Sequence, residues 1–224
     1  KIDISETLNC AVDHVGDVSG EFYGDTACGT FVAASGVLYG PASVPAGPQS
    51  QTPWTPVSQS QTGTGTATDP YQITTVVSTT GLQVTQLDSY VTGEHHYRTA
   101  TTIENTTDTA VEAPLYHAAD CYLGDSDHGF GSFDATTGAV TCVAPDSAGN
   151  PSAASRIEQF TPVTAGSNHL YAGYSEVWRA VESQQPLPNE VRNGDMLRDN
   201  GMGLSWTSTL AAHTSTTYEM TTDF

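Results

Sequence analysis

The chain has 224 residues, and its 25 acidic side chains against six basic ones give a net charge of −19. This charge argues against nucleic-acid partners and anionic membranes, because both would repel it, and it favours cations, polyols and basic proteins. Thr, Ser, Gly, Ala and Val dominate the sequence. Such a composition is typical of a secreted protein from a high-GC bacterium or of a protein adapted to high salt.

Short β-branched and aromatic runs, separated by Gly, Pro, Asn, Asp and Ser, predict an all-β fold. We expect one large antiparallel β-sandwich spanning 1–224. Residues 41–70 are rich in Pro, Gly, Ser, Thr and Gln and are interpreted as a long ordered loop or, alternatively, a linker between domains. Residues 182–202 are expected to hold one short helix. The predicted strands are 30–40, 71–79, 82–91, 96–105, 111–123, 138–144, 155–163, 169–178, 203–211 and 216–224.

The stretch DHVGDVSGEFYGDTACG, residues 13–29, repeats a glycine followed by an acid every four residues. A helix would align these acids on one face, but the glycines disfavour a helix. The acids are therefore interpreted as independent turns, as ligands of one cation, or as partners of arginine. Three of the six basic side chains are the natural arginine partners, and they are Arg179, Arg192 and Arg198.

The four cysteines allow three pairings, and we predict the two local ones, Cys10–Cys28 and Cys121–Cys142. Each bridge would close a turn-rich loop and stabilise the fold by about 3 kcal/mol. Zinc binding is disfavoured because CxxC spacing is absent from the sequence. Disulfides indicate an oxidising compartment, and the apolar runs are too short for a signal peptide or membrane span. We therefore expect a mature or excised extracellular or cell-surface segment without membrane insertion.

Aromatic side chains near carboxylates are typical of carbohydrate recognition, since the C–H faces of sugars stack on rings. Trp54 stands in the Pro-rich segment and is predicted to be an exposed platform. Glu21, Phe22 and Tyr23 in the acidic stretch complete the predicted ligand-binding set. Trp178 and Trp206 are instead expected in the core.

The sequence GEHHYRT places Glu94, His96 and Arg98 on one face of a predicted strand. If the protein is an enzyme, these three side chains form the candidate acid–base set. An exposed polar strand face explains the same residues. Nucleophile motifs such as GxSxG are absent.

The second Cys-flanked loop contains DSDHGFGSFD, in which oxygen-bearing side chains alternate on a glycine-rich chain. This pattern resembles the opening of Ca²⁺-binding loops, although it lacks the distal Glu of an EF-hand. The sequence therefore predicts Ca²⁺ at Asp125, Asp127 and Asp134. The alternative is that Asp and Gly stand there because tight turns favour them.

The phrases GEFYGDTACGTF, GYSEVW and DNGMGLSW resemble stretches in uncharacterised modular secreted proteins of actinobacteria. The two predicted hairpins at 97–121 and 203–224 resemble those of the supersandwich in the galactose-mutarotase-like group. The first resemblance implies an extracellular module and supplies no active site. The second implies the fold alone, and no catalytic residue is carried over.

Together these features predict a non-catalytic surface or accessory module that binds a glycan or an extracellular protein, with Ca²⁺ as cofactor. One alternative is a carbohydrate-active enzyme. The other is a structural subunit of a filament or surface layer, in which residues 1–9 would complete the sheet of a neighbouring copy.

Overall fold

Strands account for nearly all the regular structure of the chain, for which a computed structural model describes residues 1–152 and 154–224. Besides the strands there are a 3-10 turn, Tyr23–Asp25, and one helix, α1 (Tyr174–Glu182). In chain order the strands are β1 (Ile2–Ile4), β2 (Cys10–Val12), β3 (Cys28–Ala34), β4 (Val37–Gly40), β5 (Thr52–Pro53), β6 (Thr55–Thr62), β7 (Tyr71–Ser78), β8 (Leu82–Tyr90), β9 (His96–Asn105), β10 (Val111–Glu112), β11 (Leu115–Asp120), β12 (Phe130–Asp134), β13 (Ala139–Val143), β14 (Ile157–Pro162), β15 (Asn168–Gly173), β16 (Glu190–Val191), β17 (Asn200–Trp206), β18 (Thr209–Leu210) and β19 (Ser215–Asp223).

Two large sheets pack face to face, as the sequence predicted. One sheet has the strand order β12-β13-β14-β19-β9-β8-β7-β6 and the other β16-β15-β17-β11-β3-β4-β5. Neighbouring strands are antiparallel except in the short pairs β15–β16 and β4–β5. A single apolar cluster draws side chains from both sheets, so the principal core lies between them.

The inner face of the eight-stranded sheet changes from apolar to polar along its strands. In β8, Leu82 and Val84 are buried in the core, whereas Gln86 and Asp88 point to the same side farther along. On β9, Tyr97 and Thr99 are likewise buried on the inner face. Because alternate residues of a strand share one face, these polar groups enter the interior at one end of the sandwich.

The outer face of the seven-stranded sheet is covered by α1, which gives the molecule a third layer. The predicted strand 169–178 is therefore wrong beyond Gly173, where the helix begins. Glu176 accepts a hydrogen bond from the Gly173 backbone N–H at 3.1 Å, which caps the first turn. Val177 and Val181, at i and i+4, share the face that packs on the sheet. The helix expected within 182–202 is thus misplaced, since α1 ends at Glu182, the first residue of that range.

The Pro-rich segment 41–70 belongs to both sheets, because β5 joins the seven-stranded sheet and β6 the eight-stranded one. Trp54 stands at the crossing between them. It is 2% exposed, its Nε1 donates to the Thr30 carbonyl at 3.1 Å, and its ring stacks on Tyr39. The prediction that Trp54 forms an exposed platform is therefore wrong, since the crossing carries this residue into the core.

Strand β1 pairs with β2 of its own chain, Ile2 opposite Val12 and Ile4 opposite Cys10. The side chain of Gln59 also donates to the Ile4 carbonyl at 2.9 Å. The segment expected to serve a neighbouring copy is thus engaged within the chain.

Both predicted disulfides, Cys10–Cys28 and Cys121–Cys142, are confirmed. Within the described residues, no helix combines the length and apolar character needed to span a membrane.

Candidate metal centre

Three aspartates converge where β11 ends and β17 begins. Asp120 is the last residue of β11, and Asp199 directly precedes β17. These strands are antiparallel neighbours with Asp120 opposite Gly201, so the strand pairing brings the two side chains to one place. Asp127 comes from the loop between β11 and β12. One carboxylate oxygen of each residue lies within 4.8 Å of the others.

The three carboxylates are short of hydrogen-bond donors. In each of them Oδ1 is buried and has no partner among the described residues, and Asp120 as a whole is only 1% exposed. Burial, together with the charges of Asp199 and Asp127, raises the pKa of Asp120 to about 8. Burial and the charge of Asp127 raise the pKa of Asp199 to about 6. A cation among these oxygens would lower the pKa values of both aspartates.

The cluster faces a cavity of about 110 Å³, which Tyr23, Ala46 and Tyr174 also line. All the charged groups there are oxygen donors, the kind that Ca²⁺ and other hard cations prefer. Ca²⁺ takes 6–8 oxygens, so three carboxylates leave coordination positions free for water or for the hydroxyls of a ligand. Tyr23 is 38% exposed, which makes its ring accessible beside those positions.

Of the three aspartates predicted to hold Ca²⁺, the structure brings only Asp127 into this cluster. Asp125 instead accepts the Ser19 backbone N–H at 3.0 Å and so joins the two disulfide-flanked loops. Asp134 accepts bonds from the Thr136 N–H and the Thr137 hydroxyl, which lower its pKa and close a turn. For Asp134 the alternative interpretation as a turn residue applies.

Asp120, Asp199 and Tyr174 were missed by sequence reasoning. A signal for Asp120 existed: it is a charged residue that ends a strand whose six side chains are all buried. A buried unpaired Asp is uncommon, because its charge must be neutralised. No sequence signal indicated that Asp199 lies close to Asp120, because this proximity depends on the pairing of β11 with β17.

The acids of the stretch 13–29 have a different arrangement. Glu21 is fully buried, and its Oε1 accepts a hydrogen bond from Arg156 at 2.7 Å. Asp17 forms an ion pair with the same guanidinium. Of the three interpretations of this stretch, an arginine partner is the one observed for these two acids, but the arginine is Arg156 and none of the three expected ones. Arg192 and Arg198 pair with Glu176 instead.

A second buried acid, Glu158 on β14, lies beside Glu21. Both carboxylate oxygens of Glu158 are buried without a hydrogen-bond partner among the described residues. Burial, and then the charge of Glu21, raise the pKa of Glu158 well above its ordinary value. Burial also raises the pKa of Glu21 to about 7. These two acids share a closed interior and are unsuited to contact a ligand from solution.

The residues of the predicted ligand-binding set differ in their exposure to solvent. Glu21 and Phe22 are both fully buried, and Phe22 pairs with Cys121 through a β-bridge. These two residues, like Trp54, cannot form a binding surface, and the prediction for them is wrong. Tyr23 alone reaches the surface, at the rim of the aspartate cavity.

The candidate acid–base set lies on the outside of the eight-stranded sheet. Glu94 and His96 approach to 3.5 Å with nearly half of each side chain exposed. Arg98 pairs with Glu219 on the neighbouring strand β19. The cavity beside the aspartates has none of these three residues in its lining, and they correspond to an exposed polar strand face, the alternative interpretation.

Comparison of the chain with protein-family models and with curated proteins found no match.

Proposed function

We propose that the protein is an extracellular, non-catalytic module that binds Ca²⁺ through Asp120, Asp127 and Asp199 and uses the bound ion to hold a glycan. The observation that carries the proposal is the group of three buried carboxylate oxygens around one cavity, none of which has a hydrogen-bond partner in the described part of the chain. Two disulfides support an oxidising environment. Extracellular fluids also supply Ca²⁺ at concentrations that suit sites of modest affinity.

Ca²⁺ fits the cluster better than the common alternatives. Zn²⁺ is disfavoured because it prefers sulfur and imidazole ligands, which the cavity lining does not offer. Mg²⁺ retains its water and demands octahedral geometry, whereas Ca²⁺ accepts variable numbers of carboxylate oxygens. The net charge of −19 attracts cations of either kind and adds to the local effect.

A glycan suits the exposed side of the same cavity. Two neighbouring sugar hydroxyls can replace two waters on a Ca²⁺ ion that the protein only partly surrounds. The rings of Tyr23 and Tyr174 line the cavity next to the aspartates and offer apolar surface for sugar C–H groups.

The first test measures thermal unfolding and calorimetric Ca²⁺ binding after treatment with EDTA. At Ca²⁺ concentrations of about 100 times Kd, the free energy of unfolding should rise by about 2.7 kcal/mol. For a chain of this size that increase corresponds to about 5–10 °C in Tm. Asp199→Asn should abolish most of the effect, because it removes one of three charged ligands.

Asp134→Asn provides the matched control, since it removes the same charge from an exposed turn within the loop first predicted to bind Ca²⁺. This variant should respond to Ca²⁺ like the wild type. An unmoved Tm in both Ca²⁺ and Mg²⁺, or equal responses from the Asp199 and Asp134 variants, would refute the metal site.

The second test screens glycans against the wild type and Tyr23→Ala in Ca²⁺ and in EDTA. Glycans with adjacent free hydroxyls should bind only in Ca²⁺. Tyr23→Ala should weaken that binding while leaving the Ca²⁺ affinity within about threefold, because the ring lies beside the ion and is not a charged ligand. Ca²⁺ binding without any glycan binding would reject the recognition role and retain the metal site.

A further inference from the structure

A second cavity, of about 180 Å³, lies at the polar end of the sandwich interior. One wall consists of β1, through Ile2 and Ile4. The opposite wall is the inner face of β7, β8 and β9, which contributes Tyr71, Tyr90 and Tyr97. We call this space the tyrosine cavity. It is separate in its lining residues from the aspartate cavity.

The tyrosine cavity is lined by one acid, Asp88, which is 4% exposed. Its Oδ1 accepts the Thr99 hydroxyl at 2.6 Å, and its Oδ2 accepts Gln86 Nε2 at 2.9 Å. Both donors are neutral. Among the ion pairs of the described residues none involves Asp88, so no basic nitrogen lies within 4.0 Å of its carboxylate.

This arrangement leaves a buried negative charge without a counter-charge at neutral pH. Burial raises the pKa of Asp88 only to about 6, because the two hydrogen bonds favour the ionised form. A buried carboxylate that remains ionised is costly unless a cation pairs with it. The cavity provides the space in which such a cation would stand.

The other walls restrict the kind of cation. Among the described residues the buried hydroxyl of Tyr97 makes no well-formed hydrogen bond, although the Thr222 hydroxyl is close by, and the Tyr97 side chain lines the same cavity. Tyrosine rings attract cations through their faces, and Ile2 and Ile4 offer apolar contacts. A bare metal ion is disfavoured, because Ca²⁺ requires six or more oxygens and most of this lining is hydrocarbon.

We propose that the tyrosine cavity binds a small organic primary amine in its ammonium form. The ammonium group donates N–H bonds to the free lone pairs of Asp88 and to the hydroxyl oxygen of Tyr97, and its hydrocarbon part lies against the isoleucines. Ammonium carries three donors, which match the free lone pair on each Asp88 oxygen and the Tyr97 hydroxyl oxygen. A cavity of about 150 Å³ is known to hold benzene, so an amine of that size fits. Tyr71, 40% exposed, marks the opening to solvent.

The test is calorimetric titration of the full chain with benzylamine, n-butylamine and the neutral analogue benzyl alcohol. Benzylamine should bind in a saturable 1:1 manner. Benzyl alcohol should bind at least about tenfold more weakly, because it lacks the charge-assisted bond. Asp88→Asn should weaken benzylamine about tenfold and Tyr97→Phe about threefold. Asp108→Asn, which removes an equal charge from a fully exposed side chain, should change nothing.

Intermolecular NOEs between benzylamine and the methyl groups of Ile2, Ile4 and Ile73, which also lines the tyrosine cavity, give a readout on the wild type, independent of how the variants fold. NOEs to these methyls, with the affinity order above, would support the proposal. Absence of saturable amine binding, equal binding of amine and alcohol, or NOEs only to other methyl groups would overturn it.

Discussion

Two groups of acids lie in or near the stretch 13–29, and their charges are compensated in different ways. Asp17 and Glu21 share one counter-charge, Arg156, which is a residue of the same chain. Asp120, Asp127 and Asp199 lie close together with no basic nitrogen within ion-pair distance among the described residues. The stretch 13–29 contributes to both groups, since Glu21 belongs to the first and Tyr23 lines the cavity of the second.

This difference separates structural acids from acids available to a ligand. A carboxylate that is buried against an internal guanidinium has exchanged solvent for a fixed partner, and removing that partner destabilises the fold. A carboxylate group without an internal partner instead depends on protons or dissolved cations, and its charge state follows the solution.

Replacing Arg156 with Met should lower the free energy of unfolding by about 3 kcal/mol, because it leaves the buried carboxylate of Glu21 without its counter-charge. Urea denaturation at pH 9, where Glu21 is ionised in spite of its raised pKa of about 7, measures the loss. Arg98→Met is the matched control, since Arg98 and Glu219 form an exposed pair that contributes less than about 1 kcal/mol. Similar losses in the two variants would contradict the comparison.

The Ca²⁺ affinity of the aspartate cluster should fall as the pH falls from 8.5 to 6.5. Below the raised pKa of Asp120, about 8, the ion must displace a proton, so each further pH unit costs up to about tenfold in Kd. Calorimetry in buffers of different ionisation enthalpy measures both the affinity and the protons released. A pH-independent Kd would show that Asp120 is not a ligand.

Glu158→Gln should flatten the dependence of stability on pH. The folded protein keeps the Glu158 proton at pH values where the unfolded chain has lost it, because the folded pKa is raised. The free energy of unfolding of the wild type therefore decreases as pH rises above about 4.5, by up to about 1.4 kcal/mol per unit. Gln has no proton to lose, so the variant should lack this contribution in urea titrations between pH 5 and 8. An unchanged slope would indicate that Glu158 is not the group responsible.

The smallest effect is expected at Asp125, which joins the two disulfide-flanked loops through Ser19. Asp125→Ala should accelerate hydrogen exchange of the Ser19 amide and leave Ca²⁺ affinity within about threefold, because the exposed bond to Ser19 is local. Exchange measured by NMR distinguishes this result from a general loosening. A large loss of Ca²⁺ affinity would instead show that Asp125 is a ligand of the metal site.

Much of the fold was predictable because sheet patterns are local. In β8 and β9 buried and exposed residues alternate, so the predicted 82–91 and 96–105 match the observed strands closely. Strand β6 escaped prediction because all eight of its side chains are exposed and show no alternation. Helix α1 was taken for a strand because Tyr, Val and Trp favour strands when tertiary packing is ignored.

The candidate site was less predictable, because its geometry is tertiary. Asp127 was selected from its loop, yet its partners Asp120 and Asp199 lie on separate strands that only sheet pairing joins. Trp54 was assigned to the surface from the composition around it, whereas the crossing between sheets buries it. Local composition indicates where charge is plentiful, and the register of distant strands decides which charges meet.

The position of Cys121 immediately after Asp120 has a consequence for how the protein matures. The Cys121–Cys142 bridge ties the end of β11 to β13 and so holds the backbone that carries the most buried aspartate of the cluster. We expect the reduced chain to bind Ca²⁺ poorly and to acquire its full affinity only when the thiols pair. Ca²⁺ would then bind as the last step of maturation, after the disulfide has formed in an oxidising environment.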